Sequence, residues 1–477
     1  GLGAIKGKIS PTPRYFSGHP QRKKGHPMLA NSLQALDRAH LIHPVVSLRE
    51  HERKGVTVLQ SATGCYLTDS EGRQLLDGFA GLWCVNAGYG HKSIVDAAAE
   101  QMMRLPYATG YFHFGSEPAI RLAAELAELA PEGVDHVFFT LGGSDAVDSV
   151  IRLVRYFWNA RGRQTKKHFI ALESGYHGSS TTGSGLTALP LFHTGFDVPG
   201  PWQHHIPSPN PYRHPAGPDG DAIIRACVQS LRDKVAELGA ENVAAFIMEP
   251  VQGSGGVIVP PAGFARAMQE ACRELDILFI VDEVITGFGR TGPMLACEHE
   301  GLTPDFITIA KGLTSGYAPM GAVLMADRVY QVIADAAPEG TALGHGLTYS
   351  GHPVSAAVAL EVLKLYRGGM IDNAHRAGAY FGQRLREFRD HPLVGDVRSQ
   401  GLLGAIELVS DKATKAKFPA EARIGPRLAE AGYRHGIIFR AFNDGTLGFA
   451  PPICISQDEI DLLIARVGAT LAEVTNL

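Results

Sequence analysis

Short apolar runs recur through the middle of the chain, and stretches with helical spacing lie between them. A continuous apolar run of this length is typical of a strand buried on both faces, as in a parallel sheet covered by helices. The runs predict strands at residues 136–140, 168–172, 243–248, 277–281, 306–310 and 321–325.

Three stretches between or beside these runs are typical of helices. After Ser144 the apolar residues form one helical stripe, which consists of Val147, Val150, Ile151, Val154, Phe157 and Trp158. Residues 118–129 and 353–366 each start with a proline, which a helix tolerates in its first turn. Alternating strands and helices predict an α/β protein with a mostly parallel sheet.

The pattern also predicts how the domains are arranged. We expect a large domain at residues 81–344, and a smaller α+β domain from residues 28–80 and 345–477. Residues 1–27 hold basic residues but no apolar stretch fit for a secretory signal. We interpret them as a flexible leader or upstream segment before a natural start near Met28.

Composition narrows the class of protein. The 477 residues are enough for two or three domains, and 45% hydrophobic with 19% charged residues is the balance of a globular protein. A net charge of −4 favours a small-molecule partner over nucleic acid or an anionic membrane. The six cysteines have no metal-like spacing, which favours free thiols in the cytoplasm and no metal centre.

The chemically distinctive residues follow the predicted strands, at the sheet edge where α/β proteins bind ligands. Lys311 ends one strand, and burial there would lower the pKa of its amine and allow a Schiff base with an aldehyde. Asp282 ends another, and could hold a ring nitrogen protonated. Taken alone, Lys311 could simply be solvated and Asp282 could cap a helix or lie on the surface.

Two further segments complete the set. Gly143 and Ser144 open the helix after strand 136–140, so backbone amides and the helix dipole would suit a phosphate, although Ser144 could be a plain N-cap. Tyr176 follows strand 168–172 and offers an aromatic face, or fills the core. Together, a phosphate site, an aromatic ring, a carboxylate and a lysine at one sheet edge match what pyridoxal 5′-phosphate requires.

Several sequence blocks then resemble the class III aminotransferases, of fold type I among the pyridoxal phosphate enzymes. The blocks are GLWCVNAGYGH (81–91), FFTLGGSDAVDS (138–149), GYHG (175–178), MEPVQGSGG (248–256), VDEVITGFGRTG (281–292), PDFITIAKGLTSG (304–316) and GLTYSGHPV (346–354). The resemblance runs from about residue 30 to the C-terminus and is most specific for the ω-amine:pyruvate subgroup. It implies a seven-stranded central sheet and ping-pong transfer of an amino group from an amine or ω-amino acid to a keto acid, with pyruvate as the expected acceptor.

The resemblance also implies roles for single residues. Lys311 would bind the cofactor and move protons, and Asp282 would pair with the pyridine nitrogen. Val284 and Tyr176 would lie on the two faces of the ring, with His177 and Glu249 close by. Gly143 and Ser144 would bind the phosphate, and Thr348 would reach it from the neighbouring subunit, which implies a homodimer with shared sites.

Three positions bear on the substrate. Ile285 stands where ornithine and γ-aminobutyrate enzymes carry a glutamine, which points away from those subgroups. Trp83 matches a pocket wall that favours apolar amines. Arg440 matches a mobile arginine that binds the acceptor's carboxylate, although it could be a surface arginine in a hairpin.

Other functions remain open at this stage. Residues 287–292 fit the glycine pattern of a dinucleotide site but lack a following amphipathic helix. The segment 142–146 comes close to the nucleophile elbow of a serine hydrolase, with Ala146 in place of the final glycine. Within the same fold, an aminomutase or racemase would use the same lysine, aspartate and phosphate site.

Overall fold

The computed structural model describes residues 32–475, so the interpretation of residues 1–27 as a leader lies outside the described residues. Two compact units divide the chain after Leu59. In the first unit, α1 (Leu33–His40) is capped by Ser32, whose Oγ accepts a hydrogen bond from the amide of Ala35 at 3.1 Å, and a second short helix, α2 (Leu48–Lys54), follows.

The remaining elements belong to residues 59–475. The strands are β1 (Leu59–Thr63), β2 (Tyr66–Asp69), β3 (Gln74–Asp77), β4 (His136–Thr140), β5 (His168–Leu172), β6 (Gln203–Ile206), β7 (Val243–Met248), β8 (Leu278–Asp282), β9 (Phe306–Ile309), β10 (Gly321–Met325), β11 (Val394–Gln400), β12 (Leu403–Leu408), β13 (Ile437–Ile438), β14 (Arg440–Ala441) and β15 (Thr446–Phe449). The helices are α3 (Ala80–Trp83), α4 (Lys92–Arg104), α5 (Glu117–Leu129), α6 (Gly143–Ala160), α7 (Gly183–Leu186), α8 (Gly220–Leu238), α9 (Phe264–Glu274), α10 (Asp327–Ala336), α11 (Pro353–Leu365), α12 (Ile371–Leu385), α13 (Ile424–Arg434) and α14 (Gln457–Thr475).

A seven-stranded sheet with the order β4-β10-β9-β8-β7-β5-β6 forms the centre of this unit. The strands from β9 to β6 pair in parallel, and β10 runs antiparallel to both β4 and β9. Every residue of β7, β8, β9 and β10 is buried, as the continuous apolar runs require. The predicted α/β class with a mostly parallel sheet is confirmed.

The predicted strands agree with the structure apart from their ends. The run at 277–281 is shifted by one residue in β8, so that Asp282 is the last residue of the strand, and β9 ends at Ile309. One strand of the seven-stranded sheet was not predicted: β6, whose sequence QHHI lacks an apolar run. It is the edge strand and pairs only with β5 in this sheet, so its outer side needs no apolar neighbour.

The predicted helices are also present. In α6 the whole predicted stripe is buried and packs in the main core, and Pro118 and Pro353 both stand in the first turn of their helices. Because α6 starts three residues after β4 ends, its first turn is fixed at the edge of the sheet.

Two four-stranded sheets complete the unit, with the orders β1-β2-β3-β13 and β11-β12-β15-β14. Their strands come from residues 59–77 and 394–449, on both sides of the central sheet in sequence. The domain boundaries stay a prediction. All six cysteines are free, and no helix in residues 32–475 is long and apolar enough to cross a bilayer.

Candidate active site

The central feature of the site is a lysine and a carboxylate at the ends of adjacent strands. Asp282 is the last residue of β8 and lies opposite Thr308 of β9, in parallel register. Lys311 follows β9 by two residues. Neighbouring strands lie about 4.8 Å apart, so the two functional groups leave the sheet at the same edge and side by side. The structure therefore brings Lys311 and Asp282 together.

Lys311 is held in an unusual backbone conformation. It begins the short 3₁₀ turn Lys311–Leu313 with a φ of 44°, a left-handed conformation that costs a non-glycine residue energy and is often found at functional sites. Burial lowers the pKa of the Lys311 amine, while Cys84, Asp282 and Glu249 act in the opposite direction. A desolvated amine with a lowered pKa is a better nucleophile at neutral pH.

Asp282 is a buried carboxylate with specific partners. Its side chain is only 4% exposed, and its Oδ2 lies 2.8 Å from Nδ1 of His177. Its Oδ1 accepts a hydrogen bond from the amide of Val284 at 3.1 Å. His177 is positioned in turn by Thr187, whose Oγ1 accepts a hydrogen bond from the His177 amide. Thr187 carries no sequence signal, and we did not predict this contact.

The first turn of α6 packs closely against the segment after β8. A Cβ atom added at Gly143 would lie 2.9 Å from Cγ1 of Val284, so only glycine fits there. Ser144 accepts a hydrogen bond on Oγ from the amide of Ser179 at 3.2 Å, and it is not the N-cap, which is Gly142. The first amides of a helix lack intrahelical acceptors and suit an anion.

Tyr176 and Glu249 meet at the same edge. The carboxylate of Glu249 accepts hydrogen bonds from the amides of Tyr176 (2.9 Å) and Gly253 (3.0 Å). Burial raises the pKa of Glu249 to about 7, with Asp282 acting in the same direction. The Tyr176 ring is half-buried and contacts Phe192 edge-on, with centroids 5.2 Å apart.

Trp83 and Arg440 converge on one glycine. A Cβ at Gly448 would meet Cη2 of Trp83 and Cβ of Arg440, both at 3.5 Å. Trp83 is buried against Phe79, with which it shares an apolar cluster that also contains Ile285. Arg440 is exposed and lies over the ring of Phe442 at 5.0 Å.

Thr348 is the one candidate that lies apart. It is exposed, its carbonyl accepts a hydrogen bond from the hydroxyl of Tyr107 at 2.9 Å, and within residues 32–475 it forms no hydrogen bond with the other candidates.

The sequence blocks held further residues whose part in the site was not predicted. Cys84 lies close enough to Lys311 to act on the pKa of its amine, in the upward direction. The guanidinium of Arg290 is fully buried, donates to Oδ1 of Asn86 at 2.8 Å and also donates to the carbonyl of Pro451. The Asn86 amide reaches the Lys311 turn, because a Cβ at Gly312 would lie 2.5 Å from its Nδ2. Both residues lie in blocks that resemble the family, which was the available signal.

The structure does not support the two remote alternatives. Between β8 and the 3₁₀ turn at Ala296–His299, residues 287–294 form turns, and the amide of Gly289 bonds to the carbonyl of Pro293 at 3.0 Å. No helix opens after this glycine pattern, so a dinucleotide site is excluded there. Ser144 has no histidine as a hydrogen-bond partner in the described residues, which leaves it without the base of a serine hydrolase.

The geometry defines a class of enzyme: an amine, a buried carboxylate and a helix N-terminus share one edge of a mostly parallel sheet. These groups fit the aldehyde, the pyridine nitrogen and the phosphate of pyridoxal 5′-phosphate. Residues 48–471 match the family described as Aminotransferase class-III. The chain belongs to this family, whose members depend on pyridoxal 5′-phosphate.

Comparisons with individual proteins agree with this family. The chain is 43% identical over 433 residues to the putrescine–pyruvate aminotransferase of Pseudomonas aeruginosa, which covers 90% of this chain and 94% of that protein. It is similar to the structure of an (S)-enantioselective ω-transaminase from Thermomicrobium roseum (TM-score 0.90, 41% identity, 94% of this chain and 100% of that one). It is also similar to an ω-transaminase from Pseudomonas jessenii in complex with PMP (TM-score 0.91, 38% identity, 94% and 99%). The chain is accordingly a class III aminotransferase.

The raised pKa of Glu249 predicts a pH dependence of stability. The ordinary pKa of a glutamate is 4.5, and that of Glu249 in the native state is about 7. Between these two pH values the native state keeps a proton on Glu249 that the unfolded state loses. The wild type therefore loses up to about 3 kcal/mol of unfolding free energy across this window, at 1.36 kcal/mol per pH unit. The glutamine of Glu249→Gln does not titrate. The unfolding free energy of this variant minus that of the wild type should therefore rise between pH 4.5 and pH 7 and become constant above pH 7.

The prediction is tested by urea unfolding of the cofactor-free proteins at several pH values. Without the cofactor, only the protein's own charges act on Glu249. Glu173→Gln, which removes an exposed glutamate near the same edge, is the matched control and should follow the wild type. A difference between Glu249→Gln and the wild type that stays constant from pH 4.5 to pH 7.5 would contradict the prediction.

Proposed function

We propose that the enzyme transfers the amino group of an ω-amine or ω-amino acid to pyruvate, with Lys311 and Asp282 as its catalytic residues. The observation that carries the proposal is the desolvated amine of Lys311 next to the buried carboxylate of Asp282, at the ends of adjacent strands. When bound, the cofactor supplies an aldehyde that takes up the amino group and a ring that accepts the electron pair of a broken C–H bond.

Lys311 carries out the proton movements. Its amine would hold the cofactor, and the same amine would serve as the base at the site of reaction. Because burial lowers its pKa, Lys311 can take a proton from the substrate carbon at neutral pH and return it on the cofactor side.

Asp282 would pair with the pyridine nitrogen of the cofactor and keep that nitrogen protonated. An anionic carboxylate next to the ring nitrogen favours its protonated form, which makes the ring a better electron acceptor. The bond from Asp282 to His177 and the bond from the Val284 amide fix the carboxylate, so it needs no rearrangement during the reaction.

The other cofactor contacts that we propose involve residues at the same edge of the central sheet. We assign the phosphate to the first turn of α6, at Gly143 and Ser144, and the two ring faces to Val284 and Tyr176. The close approach of Gly143 and Val284 supports this assignment, because a residue proposed to bind the phosphate and one proposed to cover the ring are then neighbours. Glu249 and His177 would lie beside the ring without covalent roles.

The substrate would enter between Trp83 and Arg440. The buried indole of Trp83, with Phe79 and Ile285 in one apolar cluster, offers an apolar wall for the amine. Arg440 is exposed and has a planar fork that binds carboxylates in two bonds, which suits a keto-acid acceptor. The relative named for putrescine and pyruvate supports pyruvate as this acceptor.

Withholding the acceptor tests the reaction type. A transaminase stops after one turnover when no keto acid is present, because the amino group stays on the enzyme. We expect putrescine or β-alanine to be consumed, and alanine formed, only when pyruvate is added. Steady conversion of the amine without any keto acid would instead support an aminomutase or racemase.

Replacing Arg440 tests the acceptor contact. For Arg440→Leu we expect KM for pyruvate to rise roughly tenfold or more, since a charge-assisted pair is lost, and the rise should exceed that for an amine donor without a carboxylate. Arg434→Leu is the control: this arginine of α13 pairs with Glu473 on the surface. Equal effects of Arg440→Leu on both substrates would contradict the role.

We also propose a homodimer with shared active sites. Exposed apolar side chains cluster where α4 ends and in the following loop, including Met103 (88% exposed) and Phe112 (83%). In this loop, the hydroxyl of Tyr107 donates a hydrogen bond to the carbonyl of Thr348, and the Tyr107 ring contacts the ring of Tyr349. Exposed apolar patches of this kind are typical of protein interfaces, which supports Thr348 acting in a second copy of the chain.

Mixing two inactive variants tests this arrangement. Lys311→Ala lacks the amine, and Thr348→Asp would repel the phosphate. If Thr348 acts across the interface, each mixed dimer contains one site with both residues intact, so activity should return on mixing. Native mass spectrometry confirms that mixed dimers form. Mixed dimers without activity would show that Thr348 acts within its own chain.

A cytoplasmic location is part of the proposal. All six cysteines are free, including Cys65 and Cys454, whose sulfur atoms lie 3.7 Å apart. Disulfides form and persist in oxidising compartments, and thiols stay reduced in the cytoplasm. The free pair therefore supports a cytoplasmic enzyme.

A further inference from the structure

A second concave site lies at the opposite edge of the central sheet. A cavity of about 530 Å³ is lined by Arg155 and Lys167, together with His168, Trp202 and Asn242. His168 starts β5, and Trp202 and Asn242 directly precede β6 and β7. The cavity is therefore at the amino ends of these parallel strands, whereas Lys311 and Asp282 follow the carboxyl ends, so it is separate from the candidate active site.

Arg155 is the unusual residue of this cavity. It is half-buried, and its Nε is buried without a hydrogen-bond partner. Within residues 32–475 its guanidinium forms no ion pair, and its closest ring contact is Phe169 at 5.8 Å. Buried polar groups in proteins are nearly always paired, and leaving one unpaired is costly. Such an arginine calls for a partner from outside the chain.

A second cation lies on the same side of the cavity. Nζ of Lys167 donates to Oδ1 of Asn159 at 2.6 Å, and Asn159 stands one turn after Arg155 on α6. Residues four apart share a helix face, so the two cations are neighbours. Burial lowers the pKa of Lys167, and the positive charge of Arg155 lowers it further.

Among the described residues, no carboxylate lines the cavity to balance these charges. At its rim, Oε1 of Glu241 accepts a hydrogen bond from the Asn242 amide at 3.4 Å. Within the described residues neither cation is paired with a carboxylate, so the two adjacent charges repel each other, and an anion between them would relieve the repulsion.

We propose that this cavity is a binding site for the phosphate group of a small molecule, held by Arg155 and Lys167. The planar fork of arginine grips a phosphate with two parallel bonds, and the lysine adds a point charge. Trp202 is 42% exposed and could pack against the organic part of a phosphate ester. Free phosphate and a phosphate ester share this chemistry. The site does not depend on the transamination proposed above.

Calorimetric titration of the holoenzyme with inorganic phosphate tests the proposal, because the bound cofactor already occupies the phosphate position of the active site. A parallel titration uses adenosine monophosphate, at constant ionic strength set with chloride. We expect saturable binding of at least one of the two, with a dissociation constant of about 1 mM or below.

The variants are Arg155→Gln and Lys167→Gln, each expected to weaken binding roughly tenfold. Arg161→Gln is the matched control: it removes one exposed positive charge just after the same helix, outside the cavity, and should change binding less than about twofold. Lys167→Gln keeps the test decisive if Arg155→Gln does not fold. Tighter binding of the nucleotide than of inorganic phosphate would identify an ester ligand and a contact with Trp202.

Two results would overturn the proposal. One is the absence of saturable heat for both ligands with the wild type. The other is equal binding by the wild type, Lys167→Gln and Arg155→Gln. Transaminase activity of the same preparations is measured separately, so a failure of this site and a failure of the proposed reaction can be told apart.

Discussion

The site depends on the cost of placing an amine and a carboxylate at the ends of two buried strands. All residues of β8 and β9 are buried, so Asp282 and Lys311 leave an apolar sheet where charges are poorly solvated. Burial lowers the pKa of Lys311, and His177 and the Val284 amide stabilise Asp282. The same burial that is unfavourable for folding prepares the amine to act as a nucleophile.

Parallel pairing converts this local arrangement into a binding site. Because β5, β7, β8 and β9 run in the same direction, the residues that follow them meet at one edge. Tyr176 and His177 follow β5, Glu249 follows β7, and the first turn of α6 joins them through the contact between Gly143 and Val284. The N-terminal edge of the same strands gathers a different set, Arg155, Lys167 and Trp202, which is why we infer a second anion site there.

The sequence was informative where one physical signal dominated. The apolar runs gave β4, β5, β7, β9 and β10 to within a residue, and the strand ends gave Lys311 and Asp282. The edge strand β6 was not predicted, because QHHI carries no apolar pattern. The sequence pattern also did not predict which side chains meet from different segments. Such contacts are those of Thr187 with His177, of Asn86 with Arg290, and of Trp83 and Arg440 across Gly448. These contacts depend on the packing of three sheets, which no local periodicity encodes.

The chain offers a direct test of which lysine holds the cofactor, because burial lowers the pKa of a second lysine, Lys166, as it does that of Lys311. Lys166 is fully buried, and burial lowers its pKa to about 8. Its Nζ donates to the carbonyl of Val243 at the amino end of β7, whereas Asp282 is at the carboxyl end of the parallel neighbour β8. Reducing the holoenzyme with borohydride and mapping the modified peptide distinguishes them. Our account predicts the cofactor's mass on Lys311 alone; modification of Lys166, or of neither lysine, would contradict it.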